Sequence, residues 1–466
     1  MAGSPNVERL GTEKIGKLLW EMSSQTTLSL LVYALYSVTD TYFLSVGINS
    51  LAAAGASIIS PVLIALGGVA TTVGAGGASV VSRALGASNP EKASRTVANT
   101  FLIFWVVAIT ITVLGVLFIE PIVYLFGATE SVAPYAIEYG RIIFLGAIFS
   151  TGFSTIVRAD GSIRYSTAMW IIPVAANTLL CWLFIIVLRM GVSGAALATV
   201  IGGQFLSASM SIYFFFLKKN RSYNIKLSYF KPDWSILTEV ILIGFPSFVK
   251  GLSASLVVII TNNLLKAIGG DSALSIFAIV GRLFSSLNTP QTGIVMGMQP
   301  ILGYNFGKQN LERVHKTITY SLGASVIYGL LICALCLLIP SALIGLLSNE
   351  PVIITEGQAA LRLMALACPL GGISVMVAAY FQSAGRAKEA LMITLGGILL
   401  VKLPVLLLSS SLFSLTGIWI SEAVSEVILC IIAVQMLRNY QRKISLNLPL
   451  SSRARLSFPL RWRSPW

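Results

Sequence analysis

VYALYSVTDTYFL, Val32 to Leu44, is a helix-length apolar stretch with a single carboxylate, Asp40, set inside it. An ionised side chain at bilayer depth costs about 2.5–3.5 kcal/mol on insertion scales, so such groups sit in bundle interiors or wet cavities and handle ions, protons or solute. The competing reading is a structural acid, paired with a neighbour or close to the interface. The rest of the chain has to decide between them.

By length alone, 466 residues would hold three soluble domains of about 150 residues each. Composition forbids this. Apolar residues make up 56 % and charged residues 11 %, against about 25 % charged in soluble domains. The mean hydropathy of +0.84 points to an all-α polytopic membrane protein. The net charge of +14 invites a nucleic-acid partner, but the basic residues lie in short clusters between apolar runs, as membrane topology requires, and no nucleic-acid binding is expected. All five cysteines, including the Cys333/Cys336 pair, fall in apolar stretches and read as small hydrophobes. His315 is the only histidine and is expected in a polar loop, which removes His-based zinc sites and triads. The first apolar run begins near Leu18, is too long for a signal core and has no A-x-A after it, so no cleaved leader is expected.

Twelve stretches meet the roughly 20-residue requirement for crossing hydrocarbon: 18–44, 52–81, 97–119, 134–157, 166–188, 193–217, 238–266, 273–304, 317–339, 357–383, 389–411 and 415–437. Most of the 32 Lys and Arg residues fall in the even-numbered loops and at the two ends, which places both termini in the cytoplasm. The closing SSRARLSFPLRWRSPW, basic with interspersed Phe458, Trp462 and Trp466, reads as a tail lying on the anionic inner leaflet.

The chain repeats itself. GASNPEKASRT, Gly86 to Thr96, follows the second span, and GKQNLERVHKT, Gly307 to Thr317, follows the eighth. At a constant offset Gly86 meets Gly307, Asn89 meets Asn310, Glu91 meets Glu312 and Arg141 meets Arg362. Slightly shifted, Gly161 meets Gly385. Six spans have been duplicated. An even number per copy gives both copies one orientation, hence two six-helix lobes related by a pseudo-twofold axis along the membrane normal. The expected organisation is an N-terminal lobe 1–217, a cytoplasmic linker 218–237, a C-terminal lobe 238–438 and a basic tail 439–466, with a solute path between the lobes. Asp40 aligns with Asn262, so the carboxylate belongs to one lobe only, which favours an ion or proton site there.

Other candidates are less specific. Glu422 and Glu426 lie one turn apart on the last span, either as a second acidic site that attracts cationic solute or as an interhelical pair, with Lys250 and Lys402 as candidate partners. Tyr36 and Phe153 could stack on flat organic solutes or simply pack. GTEKIGKL, Gly11 to Leu18, lacks the Ser/Thr and preceding strand of a phosphate-binding loop. Transport is therefore expected to be gradient-driven, without a cofactor.

These residues resemble the multidrug and toxic compound extrusion (MATE) exporters, and the branch of that family with a first-helix Asp. SVTDTYFLSVG, Ser37 to Gly47, is similar to the family's first helix, and GGASVVSRALG, Gly76 to Gly86, to the end of its second. VRADG, Val157 to Gly161, and YFQSAGRAKEA, Tyr380 to Ala390, resemble stations further along. GMQPILGYNFGKQNLERV, Gly297 to Val314, carries the more specific match at Gln299, Pro300, Gly303, Asn305 and Gly307. The resemblance implies export of organic, often cationic compounds against inward proton or sodium flow. It further implies a cation-coupling site at Asp40, Asn177 of NTLLC and Thr199 of GAALAT. A second family carboxylate is replaced here by Cys181, and the thiol offers no oxygen, which tilts the choice toward protons while Na+ at Asp40 stays open. The expected protein is a monomeric antiporter in the plasma (inner) membrane, working by alternating access. The competing readings are a lipid-linked saccharide or polysaccharide flippase of related architecture and a membrane-embedded enzyme, the latter disfavoured by the lack of His and of facing acid pairs.

Overall fold

The computed structural model describes residues 5–149, 152–218 and 223–446. Among these residues every regular element is helical. The chain starts with a short helix, α1 (Pro5–Thr12), followed by α2 (Ile15–Gly47), α3 (Ser50–Gly86), α4 (Pro90–Leu117) and the short α5 (Ile119–Leu125). Next come α6 (Ala133–Gly146), α7 (Phe153–Ala159), α8 (Ile163–Cys181), α9 (Gly191–Ala198) and α10 (Leu206–Ile212). The second half holds α11 (Trp234–Gly307), α12 (Leu311–Leu338), α13 (Pro340–Gly345), α14 (Pro351–Ala365), α15 (Cys368–Ser383), α16 (Ala387–Leu391) and α17 (Leu403–Leu446).

Eight helical stretches among the described residues are long and apolar enough to cross a membrane, or nine when the pair α14 and α15, bent by 46°, counts as one span. Two of them are too long for a single crossing. The 74 residues of α11 would extend about 110 Å as a straight rod, against about 30 Å of hydrocarbon. Gly270, at φ 63°, breaks that helix, and Ser414, at φ 54°, breaks α17. Counting each broken stretch twice, and adding the 33-residue α2, gives the twelve spans read from the sequence. The surface is apolar, with Leu125, Leu338 and Leu400 more than three-quarters exposed, as a bilayer-embedded protein requires.

The duplication is written into the backbone. Helices α4 and α12 are both 28 residues long. Each is capped by an Asn side chain accepting from an amide three residues on: Asn89 from Lys92 at 2.9 Å and Asn310 from Arg313 at 3.2 Å. The residues before those caps, Ser88 and Gln309, both turn to positive φ (56° and 58°), and Gly161 and Gly385 both adopt φ 77°. Asn and Gly at these stations were readable because a cap and a left-handed turn need those residue types.

Two compact units are formed. The first is residues Met1–Ser255, Thr292–Gln309 and Phe381–Lys388, and the second is Leu256–Gln291, Asn310–Tyr380 and Glu389–Trp466. Three segments of the second half thus belong to the first unit. Its core gathers Leu44, Ile59, Tyr139, Phe144 and Ile185; the core of the second gathers Val280, Cys336, Ile344, Leu361 and Trp419.

Some boundaries differ from expectation. Helix α11 begins at Trp234, inside the stretch read as linker, and α17 runs to Leu446, into the stretch read as tail. Residues 447–466, which hold the basic tail sequence, lie outside the described residues. His315 sits in the first turns of α12 rather than in a loop, because Asn310 starts that helix early.

Candidate functional site

Asp40 lies on α2, one turn beyond Tyr36, so both side chains share a face. On α8, Asn177 and Cys181 are likewise one turn apart and both are buried. The sixth span reaches them closely because Gly202 has no side chain: a Cβ there would lie 2.6 Å from the amide nitrogen of Asn177. That approach delivers Thr199, the first residue of a π-helical turn, Thr199–Phe205. Such turns commonly mark functional positions in helices.

The resulting cluster holds the three residues of the expected coupling site. The Cys181 thiol donates to Oδ1 of Asp40 at 3.7 Å and lies 3.8 Å from Oδ1 of Asn177. Asn177 Nδ2 and the Tyr36 hydroxyl each donate to Oγ1 of Thr199, at 3.5 Å, the long end of hydrogen bonding. Tyr139, 2 % exposed, is buried beside this cluster. No basic side chain among the described residues pairs with Asp40. Its environment is a thiol, an amide and hydroxyls, with no countercharge.

Tyr36, expected as a solute-stacking residue, spends its hydroxyl on Thr199 and its ring on Tyr33, whose centroid is 6.1 Å away. Phe153 corrects the expectation more sharply. It is 0 % exposed, packed against Phe101 (3.8 Å between centroids), Phe104 and Phe215. It has no face to offer a solute, because the start of α7 is enclosed by α4 and the end of the sixth span.

The acids of the last span are a separate arrangement in the second unit. Lys402, at the end of a π-helical turn, places Nζ 2.6 Å from Oε1 of Glu422 and 2.9 Å from Oε1 of Glu426. Ser374 donates to the other oxygen of Glu426 at 3.1 Å. Both carboxylates share the Lys402 ammonium.

Sequence reasoning singled out Cys181 only as a departure from a pattern, and it missed Tyr139 altogether. A tyrosine in YAIEYG carries no periodic or motif signal that separates it from core packing. Among the described residues no group of His, Cys, Asp and Glu has metal-site geometry.

With this geometry in hand, likeness to known proteins is informative. The chain is 27 % identical to the multidrug export protein MepA of Staphylococcus saprophyticus, over 87 % of this chain and 90 % of the relative. Among solved structures it is similar to a MATE crystallised in the bent conformation (TM-score 0.87, 22 % identical, covering 94 % of this chain and 98 % of that one). It is also similar to a MOP superfamily transporter from Pyrococcus furiosus, described by the reverse polarity of its binding pocket as suggesting a different function (TM-score 0.86, 22 % identical, covering 96 % and 100 %). At these identities the structural likenesses speak for the fold alone. The MatE family profile matches twice, over residues 26–183 and 246–408, one match in each half of the duplication. Covering more than half of the chain between them, these matches establish that it belongs to the MatE family of multi-pass membrane transporters.

Proposed function

We propose that this protein exports organic, cationic or amphipathic compounds by alternating access, driven by proton entry at Asp40. The observation that carries the reading is a partly buried carboxylate with no countercharge among the described residues, next to a thiol, an amide and hydroxyls. An acid in that setting is stable neutral or with a bound cation, and an event that changes its protonation changes the energy of the surrounding helices. If protonation favours one conformation and solute the other, the two compete and the ion gradient drives solute outward. Proton is favoured over sodium because hard cations take oxygen donors, and the position beside Asp40 holds sulfur.

Multidrug export by the staphylococcal MepA relative supports the solute class. The same basic-loop asymmetry that orients the spans supports a multi-pass membrane protein with both termini in the cytoplasm. The flippase alternative draws support only from shared fold and has no residue of its own in this site. Efflux of a fluorescent organic cation from everted vesicles, under proton or sodium gradients imposed separately, tests the proposal. It requires proton-driven transport, and transport that ignores both gradients would contradict it.

A further inference from the structure

Where segments of both halves meet inside the first compact unit, one carboxylate holds two cations. Glu239, near the start of α11, accepts from Arg83 Nη2 at 3.0 Å and from Lys92 Nζ at 2.9 Å. Arg83 closes the second span and Lys92 opens the third. Arg83 is held in turn by the Ser79 carbonyl, at 3.1 Å, and its guanidinium lies over Gly385, where an added Cβ would collide with it. Ser79 donates to the Gln382 carbonyl at 2.6 Å, while the Gln382 side chain donates to the Ile243 carbonyl and Ser247 and accepts from Gln299. Every one of these bonds except Arg83 to Ser79 ties a first-half residue to a second-half residue or joins two second-half spans.

The backbones beneath this network touch without side chains between them. A Cβ on Gly86 would lie 1.9 Å from the carbonyl oxygen of Tyr304, and one on Gly307 would lie 2.0 Å from that of Arg83. Gly86 and Gly307 are repeat equivalents, as are Arg83 and Tyr304, so the contact is the same in both directions. A second pair repeats the arrangement: Gly76 against the Val240 carbonyl at 1.9 Å and Gly244 against the Thr72 carbonyl at 1.8 Å. Such an interface is either fully closed or open, since nothing fills a partial gap.

We propose that Glu239, with Arg83 and Lys92, is a charge latch that keeps the cytoplasmic side shut over this glycine-lined seam. The inference rests on the alternating-access reading and cytoplasmic orientation proposed above, and adds the device that holds one of the two states. Its ion pairs are partly exposed, with 29 % of the Glu239 side chain accessible. Exposed pairs are individually weak and screened by salt. The latch therefore biases closure and does not lock it, as a transport cycle needs.

Thiol accessibility tests this without solute or gradient. Ser82, 1 % exposed and facing Gly303, is replaced by Cys in a background lacking the five native cysteines, and a membrane-impermeant maleimide is applied to the cytoplasmic face of everted vesicles. Glu239→Gln is expected to raise the labelling rate at least tenfold, with Lys92→Met raising it less because Arg83 still pairs. Gly307→Val, which blocks the seam sterically, is expected to label fast with the charges intact. Size-exclusion profiles matching the parent show that the variants are folded. Labelling of Glu239→Gln at the parental rate, with Gly307→Val labelling fast, would overturn the latch. If labelling follows expectation while even the parent protein exports nothing, the latch stands and the export reading fails.

Discussion

The thiol of Cys181 lies 3.7 Å from Oδ1 of Asp40, the position from which a carboxylate would supply oxygen ligands to a metal cation. Cys181→Asp adds a second acid there and is expected to make export respond to an imposed sodium gradient. Cys181→Ser keeps a hydrogen-bond donor and should remain proton-driven. Vesicle transport with each gradient separately checks both variants.

The Lys402 triad is expected to act structurally. Lys402→Met removes the ammonium shared by Glu422 and Glu426 and leaves the buried Glu426 carboxylate without it, a destabilising change. A marked drop in the detergent melting temperature should follow, with much of it recovered in Lys402→Met/Glu422→Gln/Glu426→Gln. Glu426→Gln should be costlier than Glu422→Gln, because the Glu426 side chain is 6 % exposed and that of Glu422 is 31 %.

Phe153→Ala is predicted to destabilise by about 3–5 kcal/mol, the range for emptying a buried aromatic site, while leaving the pattern of exported compounds unchanged. Thermal unfolding and a solute panel separate the two effects. A changed solute pattern at unchanged stability would restore Phe153 to a binding role.

The twelve spans, the duplication and the first-span acid were legible because each has a signal that survives without tertiary structure: length of apolar run, repeated cap and glycine residues, and a charge out of place. The partners of Glu422 were not legible. Both Lys250 and Lys402 were chemically suitable in sequence, and only the structure places the Lys402 ammonium on both acids. Which of the two readings of Phe153 applies was hidden for a related reason. An aromatic residue on a span looks the same in sequence whether it faces a solute or three other rings.

Outside the membrane, α1 is tied to α2 by charge. Glu13 bonds Lys17 and Arg9, which hold its carboxyl below its ordinary value of 4.5. A depressed acid stabilises the fold above its unfolded-state value and loses that contribution as pH falls through the folded one. The α1 segment should therefore stay docked above about pH 4.5 and loosen progressively below it. Hydrogen exchange of residues 5–17, corrected for intrinsic rates, reads this directly. Arg9→Gln should shift the loosening to higher pH.

The central claim is that proton and solute compete through Asp40. Purified protein in weakly buffered detergent solution, mixed with a transported organic cation, provides the most direct measurement. Wild type is expected to release protons on solute binding, and Asp40→Asn is expected to bind solute with no release. Equal proton release from both proteins would contradict the account.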